Sequence, residues 1–401
     1  MRRKILGLLV LTTICVSANA WQVSYKVDSG QYLLQNVFLQ VEITDAVDHM
    51  YNFNFHKAEV EFNWLKYNYP EHPLPYFLYG ISTWWQMMPN LDKVGDLGEE
   101  FLGYMDESVE KAEKLLDADE NNIEALFFLA GSHGFKGRYY SERRSWGKAA
   151  GAGRLALKYL KKIKAIEDSE SFSPEILFGD ALFNYYSIWI RENYPMLKPI
   201  LMFFPKGDKE LGIKQMEEVS VNAFYTRVEA VYFLMRIKAF EQKKTAEALR
   251  LGTYMFKQYP NNPYFHRFYA RMLYNSGKRL EAEAVSKEIL HRLDSGMLGY
   301  EETSGRYASF FLGHINKGRG NWIEAESYYL QTIKFSEDSE SEDAGYALYA
   351  RLHLAEYYVD EKRYDEASPL ITAIRKNTKR RSSSYKKAKA LAKEIKRNRK
   401  R

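Results

Sequence analysis

Apolar positions along this chain recur at the three-to-four-residue spacing of a buried helix face, and two neighbouring stretches carry the same long pattern. Residues 229–262 place Tyr232, Met235, Ala239, Ala248, Gly252, Met255 and Pro260 in an order that 263–296 repeats, 34 residues later, as His266, Tyr269, Leu273, Ala282, Ser286, Ile289 and Asp294. Each stretch reads as two amphipathic helices joined by a turn, with large side chains on the first helix and small ones where the second must come close. Looser copies flank them. Ala58, Phe62, Leu65 and Pro70 suit a second helix behind a first at 33–50, and Tyr76, Tyr79, Gly80 and Thr83 open the next unit. The second helix of that unit, near 99–116, is delayed by an insertion at 87–98 containing Pro89 and turn-forming Asn, Asp and Gly. Ile123, Leu126, Leu129 and Ala130 begin a third unit with a second helix near 145–163, and Ser173-Pro174 begins a fourth, interrupted at 189–208. After the clear pair, Leu312, Gly313, Ala325 and Tyr329 mark one more unit, and Leu354, Ala355, Tyr358 and Ala367 another. Eight helix pairs result. Residues 385–397, with Ala388, Leu391, Ala392 and Ile395 on one face, form a final capping helix. Strand-type alternation is weak, so the expected class is all-α.

The 34-residue period and the placement of its large and small residues resemble the tetratricopeptide repeat (TPR) family. The resemblance is strongest over 229–296 and looser elsewhere. It implies an α-solenoid whose first helices line a concave groove that binds a protein or peptide partner without chemistry. With the leader described next, the chain resembles exported TPR proteins of Gram-negative, Bacteroidota-type bacteria.

Composition adds an address and a charge asymmetry. Arg2, Arg3 and Lys4 precede an apolar run at 5–16, and Ala18-Asn19-Ala20 supplies a small-x-small cleavage site, so 1–20 reads as a signal peptide and the mature chain as starting at Trp21. Thr12, Thr13 and Ile14 before Cys15 do not suit a lipoprotein motif. The expected location is periplasmic or secreted, with no transmembrane span in the mature chain. Cys15 is the sole cysteine, which removes disulfides, thiolate metal sites and cysteine nucleophiles from the mature chain. Of 58 Lys+Arg, 14 lie in 375–401 against one acid, Glu394, whereas 21–374 carries 41 cations and 51 anions. An acidic solenoid therefore ends in a basic tail. That tail is either a solvated cap or a contact for an anionic envelope surface, and export argues against nucleic acid.

No residue set has the spacing of a catalytic, metal or cofactor site. The eight His are scattered without an H-E-x-x-H, and Gly147–Gly153 lacks the strand and the Gly-Lys-Ser/Thr that a nucleotide loop needs. The chain is read as no enzyme, with no cofactor. The candidate partner site is the groove face: Tyr264, Arg267, Arg271 and Tyr274 lie on one side of their helix, away from the packing face of His266, Tyr269, Ala270 and Leu273. Tyr307, Phe310, His314 and Lys317 hold the corresponding face of the next first helix. Aromatics interleaved with cations suit an acidic peptide; alternatively the rings pack on the neighbouring unit. As surface residues, the two arginines are expected to tolerate replacement with little loss of stability. The interruption at 189–208, with Trp189, Tyr194, Phe203 and Phe204 among three prolines, either folds back over the core or offers an apolar surface to lipid, glycan or another partner. This supports the alternative function of an envelope-associated carrier or assembly factor.

Overall fold

The computed structural model describes residues 32–166, 174–202 and 204–399. The signal-peptide expectation, the start at Trp21 and Phe203 lie outside them. The described residues are helical throughout, with no strand. After a short 3-10 turn, Leu33–Gln35, come α1 (Val37–Tyr51), α2 (Phe55–Asn68), α3 (Pro73–Met87), α4 (Leu97–Ala118), α5 (Ile123–Glu142) and α6 (Trp146–Ala165). Next are α7 (Pro174–Asn193), α8 (Lys209–Asn222), α9 (Arg227–Arg236), α10 (Thr245–Gln258), α11 (Pro263–Asn275) and α12 (Arg279–Asp294). The chain ends with α13 (Glu302–Gly318), α14 (Trp322–Asp338), α15 (Gly345–Asp360), α16 (Tyr364–Lys376) and α17 (Ser383–Asn398).

Local chemistry sets the boundaries. Proline opens α3, α7 and α11, where its missing N–H costs nothing. Asn122 caps α5 by accepting from the Ala125 N–H at 2.8 Å, and Asn262 caps α11 by accepting from Tyr264 and Phe265 at 3.0 and 3.2 Å. Residues 88–96 join α3 to α4. The interruption expected at 189–208 starts later, because α7 continues to Asn193. Pro195 is the first residue that blocks helix, and it constrains only Tyr194 before it. A 3-10 turn (Pro195–Leu197) and a four-residue helical turn (Lys198–Leu201) then lead towards α8.

Every helix packs on its successor, the arrangement of an α-solenoid. Odd-numbered helices also meet one another: α1 with α3, α3 with α5, α5 with α7, and α11 through α17 in the same way. The first eleven helices do more than stack. Their inner faces close on themselves, so that the turn between α10 and α11 touches the end of α1. Asn262 Nδ2 donates to the Tyr51 carbonyl at 2.7 Å, Asn52 Oδ1 accepts from the Asn261 N–H at 3.0 Å, and the Tyr259 hydroxyl donates to Asp48 at 2.6 Å. Gly299, in the left-handed region at φ 79°, lies where a Cβ would be 2.5 Å from the Phe53 ring, so a side chain there would block the same seam. One continuous apolar core consequently runs from Leu33 to Met272, and a second from Ala270 to Ile395.

Two buried histidines and one half-buried one make the fold pH-sensitive. His266 is fully buried, its Nδ1 2.8 Å from the Tyr300 hydroxyl and its ring stacked on Phe256. Burial, aided by nearby Arg292, depresses its pKa to about 3, and burial likewise takes His133 and His314 down to about 4. The unfolded chain takes up these protons first, so their contribution is complete above the ordinary histidine value and is lost as pH falls from about 6.5 towards 4. Buried Glu229, whose carboxyl is raised, acts with the opposite sign. Comparing variants separates the two. The thermal midpoint of His266→Gln should fall less steeply than that of the native chain between pH 6.5 and 4, whatever its absolute value; parallel curves would exclude a neutral buried His266.

Candidate functional site

The odd helices present their inner sides to a common interior, and its centre is polar. Glu229 on α9 is 3 % exposed and accepts from Trp85 Nε1 of α3 at 2.7 Å. Arg138 of α5 stands 3.5 Å from its other oxygen and donates to the Tyr232 hydroxyl at 2.8 Å. Arg236 meets the same hydroxyl at 2.9 Å and that of Tyr264 at 3.3 Å. Burial pushes the Glu229 carboxyl above the ordinary carboxylate value, while Arg138 pulls it back. The guanidinium of Arg138 also lies over the rings of Trp84, Tyr232 and Phe233, at 4.5 to 5.0 Å from their centres. A second buried carboxylate, Glu175 at the start of α7, accepts the N–H groups of Phe224, Tyr225 and Thr226 at 2.7 to 3.0 Å and so fixes the turn into α9.

Beside this network lies a cavity of about 120 Å³. Tyr51 of α1, Phe77 and Ile81 of α3, Phe128 of α5, and Phe178 and Leu182 of α7 supply its walls. The lining residues that carry polar side-chain atoms are Tyr51, Glu175, Tyr225, Thr226 and Glu229. Four of these have partners, but the buried Tyr225 hydroxyl has none among the described residues. The arrangement can hold an apolar molecule and offers it one hydrogen-bonding group. Among the described residues no group of three or more His, Cys, Asp and Glu could hold a metal ion.

The eight groove residues expected from sequence do lie along α11 and α13 on neighbouring inner faces, but they largely engage one another. Arg267 is 7 % exposed, paired with Glu301 at 3.2 Å and donating to Ser304 Oγ at 3.0 Å and to the Pro89 carbonyl at 3.1 Å. Arg271 lies over Phe240 and Tyr307. Tyr264 packs edge-on to Trp85, so it belongs to the closed interior. Tyr274 stacks on Phe311 and its hydroxyl is 2.7 Å from His314 Nδ1. Tyr307 and Phe310 both contact Tyr346 of α15, and Lys317 Nζ is 2.8 Å from His353 Nδ1. Burial lowers the Lys317 ammonium below its ordinary value. The rings therefore pack between units, and Arg267 is internal rather than solvated.

Trp189 packs edge-on to Tyr186, and Tyr194 tilts against both Trp189 and Trp146. Arg191 donates to the carbonyls of Leu201 and Phe204 at 2.9 and 2.8 Å, which ties the segment back onto α7. The Phe204 ring lies 5.9 Å from the guanidinium of Arg154.

The exchange Arg267→Glu leaves Glu301 beside a second buried carboxylate with no cation between them. Removing one partner of a buried pair costs about 3–5 kcal/mol, so this variant should show a midpoint loss of that order in chemical denaturation, while Lys334→Gln on the exposed face of α14 changes little. Equal stability of the two variants would show that the Arg267 pair is unimportant to the fold. Compared with protein-family models and with curated proteins, the chain matches none.

Proposed function

We propose that this chain is a non-catalytic binding protein, an α-solenoid of TPR-like helix pairs that holds a small apolar ligand within its closed first eleven helices. One observation carries the reading: an apolar cavity lies in the interior formed by the odd helices, and a single unpartnered hydroxyl, that of Tyr225, borders it. An apolar cavity of ~150 Å³ stays dry and takes a benzene-sized guest, so the volume here suits a ring or the end of an aliphatic chain. Glu175 and Glu229 on the wall disfavour an acidic headgroup, which leaves a neutral hydroxyl or carbonyl to meet Tyr225. The TPR-like pairing is supported by the close approach of small residues at the repeat positions: Gly80 against Met105, Gly252 against Phe268 and Gly313 against Tyr329. Ala388 and Ile395 are the buried residues of α17, which fits a capping role. The leader at 1–20 supports export, and the outward Lys386, Lys387, Lys393 and Arg397 support contact with an anionic surface.

A partner peptide is the second reading. It is favoured by the inner face of the last helices, where Tyr307, His314, Lys317 and His353 remain half-buried.

Three measurements test these readings. Binding of phenol, a single ring with one hydroxyl, should be saturable by calorimetry in the native chain, lost in Leu182→Trp, which fills the cavity, and weakened three- to tenfold in Tyr225→Phe, the value of about one hydrogen bond. Native affinity in Leu182→Trp would place the ligand elsewhere. Replacing the four outward tail cations with Gln should abolish sedimentation with phosphatidylglycerol vesicles at low salt, and unaltered sedimentation would leave α17 as a cap alone. Lys317→Glu should reverse the preference of the last helices for acidic over basic peptides in a peptide-array screen; an unchanged profile would remove the second reading.

A further inference from the structure

Helix α3 has two sides. Phe77, Leu78 and Ile81 face the apolar cavity, while Tyr79, Ser82, Thr83 and Gln86 face outward into a second space bounded by α2 and α4. This outer cleft has a volume of about 320 Å³ and almost wholly polar walls. The residues reach it at helical spacing: Glu59, Asn63 and Lys66 from α2, and Glu100 and Tyr104 from α4. Its floor is built. The Tyr79 and Tyr104 rings stack at 5.1 Å with an 18° interplanar angle, Phe62 meets Tyr79 edge-on, and the Tyr79 hydroxyl donates to Asn63 Oδ1 at 2.7 Å.

One atom in the cleft has no use within the fold. Ser82, a residue of the cleft wall, is 2 % exposed, and its hydroxyl has no hydrogen-bond partner among the described residues. A buried unpaired hydroxyl costs about 1–3 kcal/mol, so its retention points to a partner that arrives from outside. The neighbouring Thr83 hydroxyl donates to the Tyr79 carbonyl at 3.1 Å and keeps its lone pairs for an incoming donor.

We infer that this cleft is a binding site for a neutral polyhydroxylated ligand, a saccharide unit. The chemistry follows from the mixture of groups. Asn63 and Gln86 carry amides that both donate and accept, Ser82 and Thr83 carry hydroxyls that do the same, Glu59 and Glu100 accept, and Lys66 donates. Sugar hydroxyls donate and accept in the same way, and the C–H face of a sugar ring suits the stacked tyrosine pair beside them. Phosphorylated and carboxylated ligands are disfavoured, because two carboxylates face a single cation. An organic cation would compete for the same uncovered face of the pair, and the spermidine arm of the test separates it from the sugars. The volume falls within the ~300–1,000 Å³ of small-molecule pockets.

The test uses the full chain with glucose, galactose, N-acetylglucosamine and their β-1,4-linked disaccharides as probes in saturation-transfer NMR, followed by calorimetry for any that bind. At least one probe should bind, and Ser82→Ala and Gln86→Ala should each weaken it about three- to tenfold, one hydrogen bond's worth. Ser82→Ala should do so without lowering the thermal midpoint, since the hydroxyl has no partner in the fold. Tyr104→Ala, on the half-exposed rim, is a second probe of the platform. The inference is overturned if no probe shows saturation transfer, if binding is the same in all three variants, or if spermidine binds at the cleft and the sugars do not.

Discussion

The closed half of the molecule depends on one buried carboxylate. Glu229 sits where α1, α3, α5 and α9 converge, and its charge is tolerable only because Trp85 and Arg138 reach it from two other helices. Removing either partner would strand an ion in an apolar interior, a loss larger than most single packing contacts supply. The network thereby holds an orientation as well as a contact: the helices must stand at one rotation for the indole, the guanidinium and the carboxylate to meet. Pure apolar packing tolerates neighbouring arrangements far better.

That fixed orientation explains how one helix can serve two spaces. With α3 held by Trp85, its apolar residues at 77, 78 and 81 line the interior, and its polar residues at 79, 82, 83 and 86 face away from it. A helix in an open solenoid would have one packed face and one wet face. Closure buries the first face completely, which frees the second to be specialised.

The helical content and the order of the elements were legible in the sequence because they rest on local periodicity and on proline and asparagine signals. Closure was not. The pairs that make it, Asn262 with Tyr51 and Trp85 with Glu229, are separated by 211 and 144 residues, and no local pattern encodes such distances. For the same reason Arg267 read as a surface residue: its helical face is correct, but the Pro89 carbonyl that covers it comes from an insertion 178 residues earlier. One signal was present. Glu229 stands inside the apolar run Val228–Ala230–Val231, where an acid must either face solvent or find a partner. The cavity and the cleft are spaces between helices and leave no mark on any single one.

Asn262 caps α11 with its oxygen and grips the end of α1 with its nitrogen, so a single side chain couples a local event to a distant one. The last six helices can accrete one upon another as they emerge, since each needs only its neighbours. The first helices lack that freedom. Their inner faces stay uncovered until residue 262 and the helix after it exist, which places an entropic loop-closure step late in the assembly of the oldest part of the chain. Such a molecule exposes an apolar interior early in its synthesis, the condition under which aggregation competes with folding.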